Sequence, residues 1–525
     1  MISKNIISKF IETVQTHPEK VAMIYKNDTF FNHSFENVTY SQLYQDVIFT
    51  AKRLKDRRFK KADRILVFVP MSYELYVIAL AILYIGAVLV FVDAWSSRNR
   101  LSLACDIVKP VGFIGILKAH LLRFSAAIKK IPIKLVSQSL IANHRHLTND
   151  MEASMPETVS DENEAIVTFT TGSTGAPKAA RRTHGFLWNQ YLALNAHMPL
   201  SKNDINFATL PIFVLNNLSL GITSVLPEFN PAKPSDFNPQ KLVQQIIDLN
   251  ISSSIGSPAF FERLANHILI TNTFTPFKTI YTGGAPIFKP LALKIRQAFP
   301  ETDVHVVYGA TEVEPISSIP LNDYIQTSHH FGLPVGKKVN TLKIKIIRPS
   351  DEAIIINDKH PMGAYESPEN EVGEIIVSGD HVLKEYIGSP LMFKKNKIVC
   401  GTELWHRTGD AGKIDSNGMI YLHGRVKNRF FNKHQNNIFA LPIEHELLKI
   451  HSIAFAAIFQ ANEKIYVALE SDKKLSEAEQ ISIKSEVNKK FQELIIEKII
   501  FLKNIPRDPR HHSKANYEKL IQLKL

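Results

Sequence analysis

Thr168-Phe-Thr-Thr-Gly-Ser-Thr-Gly-Ala-Pro-Lys178 lies directly behind the apolar run Ala165-Ile-Val167. Two glycines and a cluster of hydroxyl residues share eleven positions with a closing lysine. Glycine lets successive backbone N–H groups turn toward one anion, and the hydroxyls and the lysine add further donors. A strand that runs into such a turn is suited to a polyphosphate. Thr170, Thr171, Gly172, Ser173, Thr174, Gly175 and Lys178 are therefore the first candidate binding residues. The stretch is not a Walker A loop, because no glycine directly precedes Lys178 and Ala179 follows it. Taken alone, a Ser/Thr/Gly-rich surface turn would read the same way, so the decision rests on the rest of the chain.

With 525 residues the chain is long enough for more than one domain and several cores. Its 45% apolar and 21% charged content is that of a globular protein and excludes a disordered one. The formal charge of +12 favours anionic partners. The lysines are spread along the chain, without a basic block interleaved with aromatics, so nucleic acid is not an expected partner. Only Cys105 and Cys400 occur, which excludes a disulfide framework or a thiolate metal site and fits a reducing cytoplasm. Met1-Ile-Ser-Lys-Asn-Ile-Ile has neither a long apolar region nor a small-residue cleavage site, so no secretion signal is expected. Leu75 to Val92 is apolar over a spanning length. Gly86 divides it, however, and the two halves read as a buried helix, Leu75–Ile85, and a central parallel strand, Val88–Val92. No transmembrane span is therefore expected, and peripheral contact with a membrane stays open.

From residue 1 to 160 helical and apolar extended patterns alternate. A helix is expected from Thr39-Tyr-Ser-Gln-Leu43 with Ser41 as its cap. Asp63–Val69 and Phe113–Ile116 are expected strands, the second followed by a helix opening at Lys118. This alternation predicts a doubly wound α/β architecture. Further on, Ser253-Ser-Ile-Gly-Ser-Pro258 and Thr279-Ile-Tyr-Thr-Gly-Gly-Ala-Pro286 are strands ending in turns, the positions at which such sheets bind nucleotides. Val304-His-Val-Val-Tyr-Gly-Ala-Thr-Glu-Val313 brings a carboxylate to a strand end, where Mg²⁺ on a nucleotide takes few protein oxygens. Trp405-His-Arg-Thr-Gly-Asp410 offers an acceptor-only group, and Asp415-Ser-Asn-Gly-Met419 is an expected hairpin turn.

The phosphate segment, Gly283-Gly-Ala285, Tyr308-Gly-Ala-Thr-Glu312, Thr408-Gly-Asp410 and Gly424-Arg425, in that order, resemble the motifs of the adenylate-forming superfamily. That superfamily includes acyl-CoA synthetases and peptide-synthetase adenylation domains. The resemblance implies a large N-terminal domain of stacked α/β sheets with a β-rich subdomain, residues 1–424. It also implies a small mobile α+β domain, residues 425–525, hinged at Lys427. It further implies an enzyme, an AMP-forming ligase or synthetase, using ATP and Mg²⁺. Gly283, Gly284 and Ala285 would line the adenine, Tyr308 in Tyr308-Gly309 would stack on it, and Thr311 would contact phosphate. Glu312 would hold Mg²⁺, Asp410 the ribose hydroxyls, and Arg425 ribose or phosphate. Lys514 would be catalytic by stabilising charge as pyrophosphate leaves, and Glu312 and Lys178 would be the other catalytic residues. The resemblance also assigns Asn206–Asn216 to the acyl pocket as a strand and loop. At His184, a ligand and a plain helix-start residue are both open.

One motif departs from the pattern. After Arg425 the superfamily carries a lysine and then a glycine that lets a pantetheine arm pass, whereas Phe431 and His434 stand there in this chain. A side chain in place of hydrogen obstructs a close thiol approach. Several stretches are instead similar to the β-lactone synthetases of bacterial olefin biosynthesis. These include Phe113–Arg123, Leu218–Pro227, Trp405–Asp410 and Asp508–Lys514, with His120 and His511 among them. Those enzymes adenylate a long-chain 3-hydroxy acid whose own hydroxyl then closes a four-membered ring. The expected substrate is accordingly a fatty or 3-hydroxy fatty acid in lipid metabolism. CoA and a carrier protein are the alternative acceptors, and a non-catalytic nucleotide-binding protein is the rival of another class.

Overall fold

The computed structural model describes residues 5–26, 34–92, 98–141, 155–171, 177–231, 233, 235–432, 434–450, 452–471, 475–491, 494–508 and 514–523. Gly172, Ser173, Thr174, Gly175 and His511 lie outside the described residues. Among the described residues the strands form a fourteen-stranded sheet, a seven-stranded sheet, a three-stranded sheet and a two-stranded ribbon.

The run from Leu75 to Val92 shows how apolar patterning builds this fold. Ser72 caps a helix Tyr73–Tyr84 by accepting from the Leu75 N–H, and every residue from Leu75 to Tyr84 is buried. A helix apolar on all sides belongs inside a core. Gly86 then turns the chain at φ +66°, where an added Cβ would stand 2.9 Å from Glu157 Cγ. The strand Val88–Phe91 follows, parallel to both Arg64–Phe68 and Glu164–Thr171. A strand buried on both faces must be apolar throughout, as this one is. No helix among the described residues is long and apolar enough to cross a membrane.

Strand Glu164–Thr171 carries the start of the phosphate segment at the C-terminal edge of the seven-stranded sheet. Its neighbour Pro177–Thr183 runs antiparallel, with Thr170 opposite Lys178. In the larger sheet, parallel strands Ile205–Ala208, Ser253–Gly256, Thr279–Gly283 and Asp303–Ala310 lie side by side. An antiparallel half, including Leu333–Lys338, Gly373–Ser378, Glu403–Ile414 and Met419–Arg425, continues it. The Asp415–Met419 hairpin turn stands where the sequence puts it, between the last two of these.

Three local expectations are corrected. Thr39, not Ser41, caps helix Tyr40–Asp56, because Gln42 stands three residues on and returns the bond to the Thr39 N–H, a reciprocal capping box. Ile212–Asn216 is not a loop but part of helix Pro211–Leu220, with proline at its start where a missing N–H costs nothing. The segment opened by Lys118 is a 3-10 helix, Leu117–Phe124.

Beyond strand Met419–Arg425 the chain makes one 3-10 turn, Val426–Asn428. It then builds strands Ile453–Ala461, Lys464–Ser471 and Ile496–Phe501 into a sheet with its own apolar cluster around Ile443, Val467 and Leu494. Helix Ala440–Leu447 leans back on the main sheet, where Leu441 packs with Phe288 and Leu333.

Candidate active site

A single cavity of about 1570 Å³ opens where these parts meet. Lys178, Gly283, Gly284, Ala285, Tyr308 and Gly309 line it, as do Thr311, Glu312, Asp410, Arg425, Lys427 and Lys514. Thr170 and Thr171 end the strand leading to it. Residues separated by more than three hundred positions therefore converge on one space.

Backbone packing dictates some of these residue types. A Cβ on Gly283 would stand 2.3 Å from the Val307 carbonyl oxygen, so only glycine lets strand Thr279–Gly283 approach its neighbour at that point. Thr311 and Glu312 form the two-residue tip of the hairpin between Asp303–Ala310 and Val313–Pro320. That places the Glu312 carboxylate at a turn directed into the cavity. Tyr386 donates its phenol to Glu312 Oε1 at 3.1 Å. The Leu383 N–H donates to the Glu312 carbonyl at 2.7 Å. Arg182, buried behind the tip, donates to the Thr311 carbonyl at 3.0 Å.

Asp410 sits between two donors. Tyr308 reaches its Oδ2 at 2.8 Å and Arg425 its Oδ1 at 2.7 Å. Burial, with Asp410 beside it, holds the Tyr308 phenol far above its ordinary range, so it remains a donor. The preceding residues are pinned by a buried ion pair. Arg407 donates from Nε to Glu374 Oε2 at 2.9 Å, and the Gly409 N–H donates to Glu374 Oε1 at 3.2 Å. The Gly373-Glu374 pair and the Arg407–Asp410 motif are thus one unit, with Glu374 orienting the backbone that presents Asp410.

Several lysines and arginines gather near Glu312. Lys178 donates to Asn396 Oδ1 at 2.9 Å and faces the Tyr386 ring. Burial lowers its pKa, Glu312 opposes that, and Arg425, Lys395 and Lys427 push it down further. Behind it lies Lys397, fully enclosed, donating to the Leu383 carbonyl. Burial drives Lys397 down to about 7, against the pull of Glu312. Folding thus favours its neutral form, while the unfolded chain holds the proton up to the ordinary lysine range. Stability should rise with pH between about 7 and 10, by up to about 1.4 kcal/mol per pH unit. Lys397→Met is expected to raise the melting temperature at pH 7 and to remove most of the wild-type gain between pH 7 and pH 9. An unchanged pH slope in the variant would show that Lys397 is charged when folded.

Lys514 reaches the cavity from a tight closure near the C-terminal end. Its N–H donates to Asp508 Oδ1 at 3.2 Å, and its carbonyl accepts from the Asp508 N–H at 2.9 Å. Asn516 caps the helix Tyr517–Ile521 that follows. Tyr517 in turn donates to the buried Glu444 at 2.5 Å. Lys427 pairs with Glu518 at 3.3 Å, tying the expected hinge to this helix.

Two histidines singled out in the sequence belong to the core. His184 is buried, accepts from the Ile6 N–H at 3.3 Å, and is pushed down to about 4 by burial. It stands outside the cavity lining, which answers the question left open for it. His120 bonds to the Leu135 carbonyl at 2.9 Å and packs edge-on against Phe113. In the turn after Arg425, Gln435 takes a left-handed conformation at φ +63°. Tyr386, Asn396, Lys397 and Arg182 carried no sequence signal as site residues. Lys397 ends the run Lys394-Lys-Asn-Lys397, which reads as a solvated patch.

Lysine and arginine donors, the separated carboxylates of Glu312 and Asp410 and an adjoining apolar lining share this one cavity. The chain matches the AMP-binding enzyme family over residues 10–387 and belongs to that family; it is an adenylate-forming ligase or synthetase. It is 26% identical over 482 residues to an olefin β-lactone synthetase of Stenotrophomonas maltophilia (strain K279a), covering 87% of this chain and 86% of that one. It is 28% identical over 384 residues to the olefin β-lactone synthetase of Xanthomonas campestris pv. campestris, covering 70% and 68%. Among solved structures, o-succinylbenzoate coenzyme A synthetase of Bacillus subtilis, in complex with ATP and magnesium ion, shares the fold. The TM-score is 0.78 at 19% identity, over 98% of both chains.

Proposed function

We propose that this enzyme adenylates a fatty or 3-hydroxy fatty acid and closes the 3-hydroxy acyl adenylate to a β-lactone. The observation that carries the reading is the shared cavity. The polar groups around Asp410 and Glu312 and the apolar side chains Tyr76, Ala79, Met198, Phe213, Phe229 and Ile255 line the same space. Its volume exceeds the roughly 300–1,000 Å³ of a typical small-ligand pocket, leaving room for a nucleotide and an acyl chain together. The donor set fits ATP with Mg²⁺. Among the described residues no three His, Cys, Asp or Glu side chains gather into a metal cage. A lone carboxylate such as Glu312 suits an ion that keeps waters and phosphate oxygens as its other ligands. Bound there, Mg²⁺ neutralises charge on the phosphates.

In this scheme Asp410 accepts from the ribose hydroxyls, Tyr308 covers the adenine, and Gly283 to Ala285 border it. Lys178 and Arg425 hold phosphate oxygens. A carboxylate oxygen of the acid attacks the α-phosphorus, the bond to pyrophosphate breaks, and Lys514 stabilises the charge that develops. The substrate's 3-hydroxyl oxygen then attacks the acyl carbon. The carbon–oxygen bond to phosphate breaks, AMP leaves with the electron pair, and the hydroxyl proton passes to solvent. An internal nucleophile gains a high effective molarity and needs no second substrate. The similarity to two β-lactone synthetases and the missing glycine after Arg425 support this acceptor over CoA. Residues 425–525 would act as a separate domain, turning about Lys427 to deliver Lys514.

The test is ATP–pyrophosphate exchange across plain and 3-hydroxy fatty acids. Exchange should require both Mg²⁺ and the acid. Binding of ATP with no exchange for any acid would favour a non-catalytic nucleotide-binding protein.

A further inference from the structure

Leu117, Leu121 and Phe124 stand 72%, 69% and 88% exposed within the single 3-10 segment Leu117–Phe124. Its other side is anchored, with Ala119 and His120 buried and Leu122 packed on the core around Phe113 and Ile128. The exposed side chains are therefore held outward by a fixed frame. Lys118 and Arg123, both exposed, alternate with them. From Arg98 to Val136 the sequence carries eight lysines and arginines against a single acid, Asp106. Large apolar side chains presented among cations on an anchored turn match the interface of an anionic bilayer, in which apolar groups enter the acyl boundary and cations meet headgroups. The segment also borders the cavity: Ile116, Ala119, Leu121 and Leu122 line it, and Leu121 is at once cavity wall and exposed surface.

We propose that Leu117–Phe124 is the surface on which this enzyme docks to an anionic lipid membrane, with the cavity mouth at Leu121 facing the bilayer. Its use for taking up a long-chain acid directly from lipid rests on the fatty-acid reading above. The docking itself does not. A sparingly soluble acid partitions into membranes, so a mouth at the lipid surface shortens its path to the site.

The test is sedimentation of the full chain, without ATP or acid, with phosphatidylcholine vesicles and with phosphatidylcholine–phosphatidylglycerol vesicles. Binding to the mixed vesicles and its weakening by salt are expected. Leu117→Glu/Phe124→Glu alters two exposed side chains outside the cavity lining and should lower partitioning by about tenfold or more. Its melting temperature and its exchange rate with a water-soluble short-chain acid should stay at wild-type values. Wild-type protein that ignores mixed vesicles, or a double variant that binds them equally, overturns the proposal. So does a wild-type oligomer that the double variant converts to monomer, since the patch would then be a protein interface. If vesicles bind as expected but no fatty acid supports exchange, the docking surface stands and the substrate reading falls.

Discussion

Lys514→Ala is expected to slow acid-dependent pyrophosphate exchange by about a hundredfold or more, the scale of losing one fixed charge-stabilising group. The expectation rests on how the residue is presented. Lys514 is held by backbone bonds to Asp508, and Tyr517 three residues on is held by Glu444. Alanine retains those backbone bonds, so the variant should keep its fold and its melting temperature. What disappears is a cation on the wall shared with Asp410 and Arg425. Lys514→Arg keeps the charge on a differently shaped head and should recover part of the rate. Nucleotide binding measured by calorimetry should change little beside the loss of rate. Near wild-type exchange in Lys514→Ala would remove that residue from the chemistry.

Glu374→Ala should cost about 3–5 kcal/mol of stability, because it removes the carboxylate partner of a buried guanidinium and leaves it only backbone carbonyls. Arg407 is enclosed, and Glu374 takes two of its bonds as well as the Gly409 N–H. The cost should fall mostly on folding, with a second effect at the site as the backbone before Asp410 loses its anchor. Replacing both partners with apolar residues, Glu374→Met with Arg407→Leu, should recover much of the stability. It should not restore nucleotide affinity, because Gly409 would remain unanchored. Thermal melts of the single and double variants separate these effects. A single variant as stable as wild type would mean that the pair contributes nothing to the fold.

Much of the architecture could be read from local patterning. The uninterrupted apolar runs at Leu75–Ile85 and Val88–Val92 became a buried helix and a central strand because only full burial tolerates such stretches. Strand-end turns at Gly283 and Glu312 were visible because glycine and carboxylate at those places have a physical use. What stayed hidden depends on contacts distant in sequence. Nothing near Glu374 announces Arg407, and Lys397 looks like a surface lysine until strand Lys397–Cys400 is seen to bury it. Ser41 looks able to cap the helix in sequence, but Thr39 takes that place because the reciprocal bond from Gln42 depends on where the helix begins.

The most direct test of the account is to incubate the enzyme with ATP, Mg²⁺ and a 3-hydroxy fatty acid, with and without CoA, and to identify the products by mass spectrometry and NMR. AMP, pyrophosphate and the β-lactone are expected in both incubations, with a plain fatty acid stopping at its adenylate. Acyl-CoA as the main product, with no lactone when CoA is absent, would contradict it.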